Sequence, residues 1–153
     1  MVVQMIDIHD KPIIYREALA IGEIELRLKT LDLIRANRIE KGDPLQIAKI
    51  AGIQGAKQTS TLMPLCHPLP LESVQIETKL LKQGIRVSAK VLATSKTGVE
   101  MEALTAVSAA LLSIWDVTKK YEKDDDGQYP HTMIGNIKVQ HKVKRTIDVT
   151  SKS

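Results

Sequence analysis

From Gly98 to Tyr121 the residues Met101, Leu104, Val107, Ala110, Leu111, Ile114 and Trp115 recur at steps of three and four, the period of one helical face. Thr97 stands just ahead as the expected N-cap. The most apolar window, Ala103 to Trp115, is interrupted by Thr105, Ser108 and Ser113 and falls short of the roughly 20 residues that cross a bilayer, so it reads as a core helix. Phe is absent and there are one Trp and three Tyr, so Ile, Leu, Val and Ala must supply the core volume.

The remaining periodicities frame that helix. Ile13 to Leu26 reads as a strand with Gly22 as a bulge, and Leu28, Leu31, Ile34 and Ile39 then recur near helical spacing. A second helix follows through Ile47, Ile50 and Ile53, opened by Asp43 as N-cap with Pro44 at the first helical position, which leaves Lys41 and Gly42 in a loop. Val74, Ile76 and Leu80 alternate with polar residues, as do Ile85, Val87, Ala89 and Val91 after Lys82-Gln83-Gly84, which predicts a β-hairpin. A polar turn from Asp124 through Pro130 precedes a last strand marked by Ile137, Val139 and Val143. The order strand, helices, hairpin, helix, strand predicts an α+β fold, the ferredoxin-like split βαβ plait with an additional helix in the first crossover. With 153 residues, 43% hydrophobic and 26% charged, one domain spanning 1–153 is expected, with 149–153 a flexible tail.

The formal charge of +4 suits an anionic partner without demanding one. A single cysteine, Cys66, leaves no intramolecular disulfide, and Met1 to Lys11 has no apolar stretch after a basic one, so a cytoplasmic location is expected, with no membrane partner.

Three prolines hold Cys66 and His67 within Met63 to Pro70, a rigid setting in which His67 could act as acid or base near neutral pH, or in which a structural turn could bury a thiol. Adjacent side chains of an extended segment point apart, which disfavours a Cys66–His67 nucleophilic pair. Cys66, His9, His67, His131 and His141 show no metal-ligand spacing, so no metal and no cofactor are expected. Glu100, Met101 and Glu102 open the long helix, where the dipole favours carboxylates as ordinary charge bias or as a site. Asp116 and Lys119 share a face three residues apart, either as an acid–base and phosphate-binding pair or as a surface ion pair worth at most about 1 kcal/mol. Beside Trp115, partial burial and a raised pKa are expected for Asp116. Lys138, Lys142 and Lys144 alternate onto one face with Arg145 alongside, as in a charged edge strand; with Arg16, Lys41, Lys57, Lys119 and Lys123 they could instead line a polyphosphate pocket. No Walker glycine loop or GxGxxG is present, so side chains would hold the phosphates.

Three blocks carry a family resemblance: Lys41-Gly42-Asp43 leading through Ala48 to Ile53 and Ala56-Lys57; Leu62 to Leu69 with its Pro-Leu-Cys-His-Pro-Leu core; and Gly98-Val99-Glu100-Met101-Glu102-Ala103-Leu104 running through Asp116 and Lys119. With a weaker N-terminal match at Met5 to Ile8 and Arg16 to Ala18, the chain resembles the molybdenum cofactor biosynthesis protein C family, the cyclic pyranopterin monophosphate synthases, from about Met5 to Lys142. The resemblance implies a phosphorus–oxygen lyase that rearranges 3′,8-cyclo-7,8-dihydro-GTP, the product of a radical enzyme acting on GTP, to cyclic pyranopterin monophosphate and pyrophosphate. It implies a homohexamer, a trimer of dimers, with sites at subunit interfaces. It also implies substrate contacts from Leu65, Cys66, His67, Met101 and Glu102, with Glu100 in the same cluster, and catalysis by Asp116, Lys119, Lys41 and His67. Arg16, Lys57 and Lys142 are assigned to the triphosphate of such a substrate because Lys and Arg neutralise the charge that accumulates as pyrophosphate leaves. The sequence departs from the family pattern in an extra acidic, Tyr-Pro-containing loop between Lys123 and Ile134, in Lys142-Val143-Lys144-Arg145 where a glycine-rich lysine motif is usual, and in Gln4 where histidine is common. An RNA-binding plait would need aromatic residues on its central strands, where this chain has Val, Ile and Ala, so no nucleic-acid partner is expected. A catalytically silent relative acting in assembly would have lost acid–base residues that are retained here.

Overall fold

The computed structural model describes residues 1–147; the predicted tail at 149–153 lies outside the described residues. Four strands and four helices succeed one another: β1 (Ile14–Glu25), α1 (Leu28–Arg35), α2 (Pro44–Lys57), α3 (Thr59–Leu62), β2 (Leu71–Leu80), β3 (Gly84–Ser95), α4 (Glu100–Glu122) and β4 (Met133–Arg145). The strands form one antiparallel sheet in the order β2-β3-β1-β4, the order of the ferredoxin-like plait, and α1 to α3 make up the enlarged first crossover.

Burial alternates strictly along β1, as a strand with one covered face requires. The covered face carries Ala18, Ala20, Val87, Ala89 and Val91, all 0% exposed, against Ala103, Ala106, Val107, Ala110, Leu111 and Ile114 of α4, also 0% exposed. These small and branched residues let the helix approach closely. A Cβ on Gly22 would stand 2.7 Å from Val107 Cγ1 and 2.9 Å from Leu111 Cδ1, so Gly22 is where the sheet touches the helix. At 23 residues α4 is long and apolar enough to cross a bilayer, more than the Ala103–Trp115 window suggested, but 56% of its apolar window is buried inside the protein.

Gly22 is not itself bulged. It pairs in register with Val87, and the extra residues lie opposite it on β4, between Gly135 and Lys138, where Asn136 has φ 55°. A second irregularity leaves Gln140 surplus between Val139, paired with Ala20, and His141, paired with Leu19. It corrects the expected lysine row. Lys142 pairs with Ala18 and Lys144 with Arg16 on the helix-covered face, whereas Lys138 pairs with Ile21 on the other. Arg145 also faces away, its guanidinium 4.4 Å from the Tyr15 ring.

Asp43 caps α2, its Oδ1 accepting from Leu45 N–H at 2.9 Å, with Pro44 in the first turn. α1 stops at Arg35, ahead of Asn37 at φ 56°, so Ile39 packs into the core from the loop. Thr97 does not cap α4: Val99 occupies that position without a side-chain bond. At the far end of α4, Glu122 is wholly buried and accepts the N–H of Arg27 at 3.2 Å on both oxygens, the Thr132 hydroxyl at 2.8 Å and the Thr30 hydroxyl. It thus supplies across the fold the N-terminal cap that α1 lacks locally.

Candidate active site

The predicted site residues gather in two clusters at opposite ends of α4. At its N-terminal end, Met63 to His67, Thr97, Gly98, Glu100 and Met101 line an open depression of about 470 Å³. The Glu100 carboxylate folds back over Gly98, where a Cβ would lie 2.0 Å from Glu100 Oε2 and would push the carboxylate aside. Glu100 accepts from Lys142 Nζ at 2.8 Å. Burial alone would raise its pKa, but the Lys142 ammonium, its own main-chain N–H and the nearby Arg16 guanidinium hold it below the ordinary glutamate range. Arg16 is itself buried, donating from Nε to Ser95 O and from Nη2 to Lys96 O, each at 3.3 Å.

Glu102, 3% exposed, lies beneath this rim with Oε1 unpartnered. Burial, with the neighbouring Glu100 charge, raises its carboxyl above the usual range. Cys66 Sγ is 3.9 Å from Glu102 Oε2 and 3.9 Å from the His67 carbonyl oxygen, and burial and Glu102 push the thiol up, which favours the protonated form. Leu65 and Met101 stay 48% and 41% exposed, two large apolar side chains at the mouth.

The second cluster centres on Asp116. Lys119 Nζ lies 3.2 Å and Lys41 Nζ 3.3 Å from its Oδ1, and Lys41 also donates to the Asp116 carbonyl at 3.3 Å. Gly42, at φ +120°, makes the turn behind Lys41. The loop is also tied to α4 by Glu40, whose carboxylate pairs with Lys120 and whose N–H donates to the Tyr121 hydroxyl at 2.9 Å. The expected partial burial of Asp116 is overturned. Its side chain is 57% exposed, and the ammonium groups of Lys119 and Lys41 lower its pKa. Trp115 lies partly in the core and contributes to a neighbouring open depression of about 490 Å³, lined also by Leu112, Asp116, Lys119, Tyr129 and Ile134. Tyr129 is the lining residue that the sequence reading passed over, although the Tyr-Pro pair in the extra loop marked the segment.

Of the predicted residues, Leu65, Cys66, His67, Glu100, Met101, Glu102, Arg16 and Lys142 meet at the first cluster, and Lys41, Asp116 and Lys119 at the second. Lys57 is exposed on the last turn of α2 and, among the described residues, forms no ion pair. Among the described residues no three His, Cys, Asp or Glu side chains form a metal-binding group.

An antiparallel plait with acid and lysine clusters at both ends of its long helix defines a class to which comparison gives a family. The MoaC family matches residues 5–144. A Saccharolobus solfataricus protein named "Probable cyclic pyranopterin monophosphate synthase" is 55% identical over 92% of this chain and 95% of its own, and one of the same name from Sulfurisphaera tokodaii is 52% identical over 95% and 97%. A Methanothermobacter thermautotrophicus protein, 52% identical over 93% and 89%, is named "Probable cyclic pyranopterin monophosphate synthase accessory protein". The chain belongs to the MoaC family.

Proposed function

We propose that this chain is a cyclic pyranopterin monophosphate synthase of molybdenum cofactor biosynthesis, a phosphorus–oxygen lyase. It takes (8S)-3′,8-cyclo-7,8-dihydroguanosine 5′-triphosphate from the radical enzyme that makes it and yields cyclic pyranopterin monophosphate and pyrophosphate. The observation that carries this reading is the Asp116 carboxylate held between the ammonium groups of Lys41 and Lys119. Opening one ring and closing another moves protons at several positions, and needs groups that differ in proton affinity. Asp116, lowered by the two ammonium groups, stays ionised, and Glu102, raised by burial, holds its proton more tightly, so the two differ in proton affinity. Lys119 transfers a proton or touches phosphate, Lys41 meets the reacting base, and His67 adds a ring that both donates and accepts hydrogen bonds. For the cyclic phosphate, a sugar hydroxyl attacks the α-phosphorus, its proton leaves to a base and pyrophosphate departs, with Arg16, Lys142 and Lys57 neutralising the charge.

Glu100 and Asp116 are sixteen positions apart on α4, about 24 Å along the axis. That span supports sites shared between copies, in a trimer of dimers, where the first cluster of one copy meets the second cluster of another. Leu65 and Met101, exposed at the first cluster, suit such a closed site.

Pyrophosphate release and pterin formation from the cyclic nucleotide, with GTP as the control, test the reaction. Asp116→Asn is expected to lower kcat by about 10²-fold or more. Mixing two inactive variants, Asp116→Asn and His67→Ala, then reassembling them should restore about a quarter of wild-type turnover if each site draws on two copies. No recovery would overturn the shared site. The name of the Methanothermobacter relative favours a second reading, an accessory role without turnover, which absence of pyrophosphate release from folded oligomer would support.

A further inference from the structure

The depression beside Asp116 is walled by groups that proton transfer leaves unused. The chain has only one Trp and three Tyr, yet Trp115 and Tyr129 meet here, ring centroids 5.1 Å apart and planes at 53°. The loop that delivers Tyr129 is held by its own hydrogen bonds. Asp124 Oδ1 accepts from Asp126 N–H at 2.9 Å and Gln128 N–H at 2.8 Å, Asp124 N–H donates to Gln128 O at 2.9 Å, and Gly127 turns the chain at φ +76°. Beyond Tyr129, Thr132 is anchored by its 2.8 Å bond to the buried Glu122. Tyr129 is therefore fixed from both sides. Leu112, 62% exposed, and Ile134 extend the apolar wall, while Asp116 and Lys119 form its charged edge.

A bare polyphosphate would use the lysines and leave the aromatic wall idle, and an aliphatic ligand would do the reverse. A flat heteroaromatic ring uses both, its face on the apolar wall and its N–H and carbonyl edge on Asp116 and the ammonium groups. We infer that the Trp115–Tyr129 pair is the ring platform of this site and that Tyr129 is a substrate-binding residue supplied by the extra loop. The inference rests on the proposed reaction, whose substrate carries a guanine-derived ring.

Trp115 is the sole tryptophan, so its emission reports the platform directly. The full-length oligomer would be titrated with 3′,8-cyclo-7,8-dihydro-GTP and, separately, with inorganic triphosphate, with steady-state kinetics on Tyr129→Leu, Tyr129→Phe and the loop control Asp125→Asn. The nucleotide should change Trp115 emission saturably and triphosphate should not. Tyr129→Leu should raise KM about tenfold with kcat within about twofold, Tyr129→Phe should lose less affinity than Tyr129→Leu, and Asp125→Asn should match wild type. An unchanged KM in folded Tyr129→Leu, or a loss confined to kcat, would overturn the platform. Should Tyr129→Leu fail to fold, Tyr129→Phe and the wild-type titration decide, and emission unmoved by saturating nucleotide overturns it. Saturable emission change without pyrophosphate release would support the platform and sink the lyase reading. Release with silent Trp115 and unaltered KM in Tyr129→Leu would do the opposite.

Discussion

Lys41 and Lys119, one from the loop before α2 and one from α4, reach the same oxygen of Asp116, at 3.3 and 3.2 Å. Both pairs are open to water, so their direct contribution to stability is small. Their effect falls on protonation. The Asp116 carboxyl should titrate below 3.8 in wild type and move upward in both Lys119→Ala and Lys41→Ala, since each ammonium group lowers it. Carbon-13 NMR of the carboxyl would show it. A value unchanged in Lys119→Ala would mean that the pair does not set this group.

Glu102 runs the other way. Burial raises its pKa, so the folded state holds this proton more tightly than the unfolded chain and stability falls as pH rises from about 4.5 through the raised value. Glu102→Gln, neutral throughout, should stabilise the protein at pH 7 by about 1 kcal/mol, or about 2–4 °C in Tm. The gain should vanish below about pH 4.5, where both states carry the proton. Thermal melts across that range would refute the burial argument if the difference were flat.

Glu122, wholly buried, serves three donor groups, the Arg27 N–H and the hydroxyls of Thr30 and Thr132. Glu122→Ala would orphan Thr30 and Thr132 and uncap α1, a loss of about 3 kcal/mol. Calorimetry should record a Tm lower by about 6–12 °C. A drop under a degree would show that the donors find other partners.

Gly22→Ala should destabilise by about 1–3 kcal/mol, because its Cβ meets Val107 at 2.7 Å, Leu111 at 2.9 Å and Ile137 at 3.0 Å at once. Urea midpoints would measure it. A neutral result would show that α4 can lift from the sheet without penalty.

What could be read from sequence was what repeats locally. The stride of Met101 to Trp115, the alternation of Val74 to Val91 and the Asp43-Pro44 start of α2 each depend on neighbours a few residues away, and each produced its element. The lysine row failed because one surplus position, Gln140, lies between Lys138 and Lys142 and switches the face of the later lysines, and a surplus residue has no signature in side-chain type. Asp116 was expected to share the burial of Trp115, but successive helix positions point about 100° apart and only the tryptophan turns inward. Glu122 and Tyr129 acquire their surroundings from segments that meet only in the folded chain. The candidate catalytic residues were legible through family motifs; their division between the two ends of α4 was not.

Gln140 gives β4 a residue of slack. If it were lost, Val139 and His141 would become consecutive partners of Ala20 and Leu19, and Lys142 and Lys144 would stay opposite Ala18 and Arg16. This stretch is therefore buffered against a one-residue change of length, so a deletion there could pass through a lineage while the inward cations hold their places.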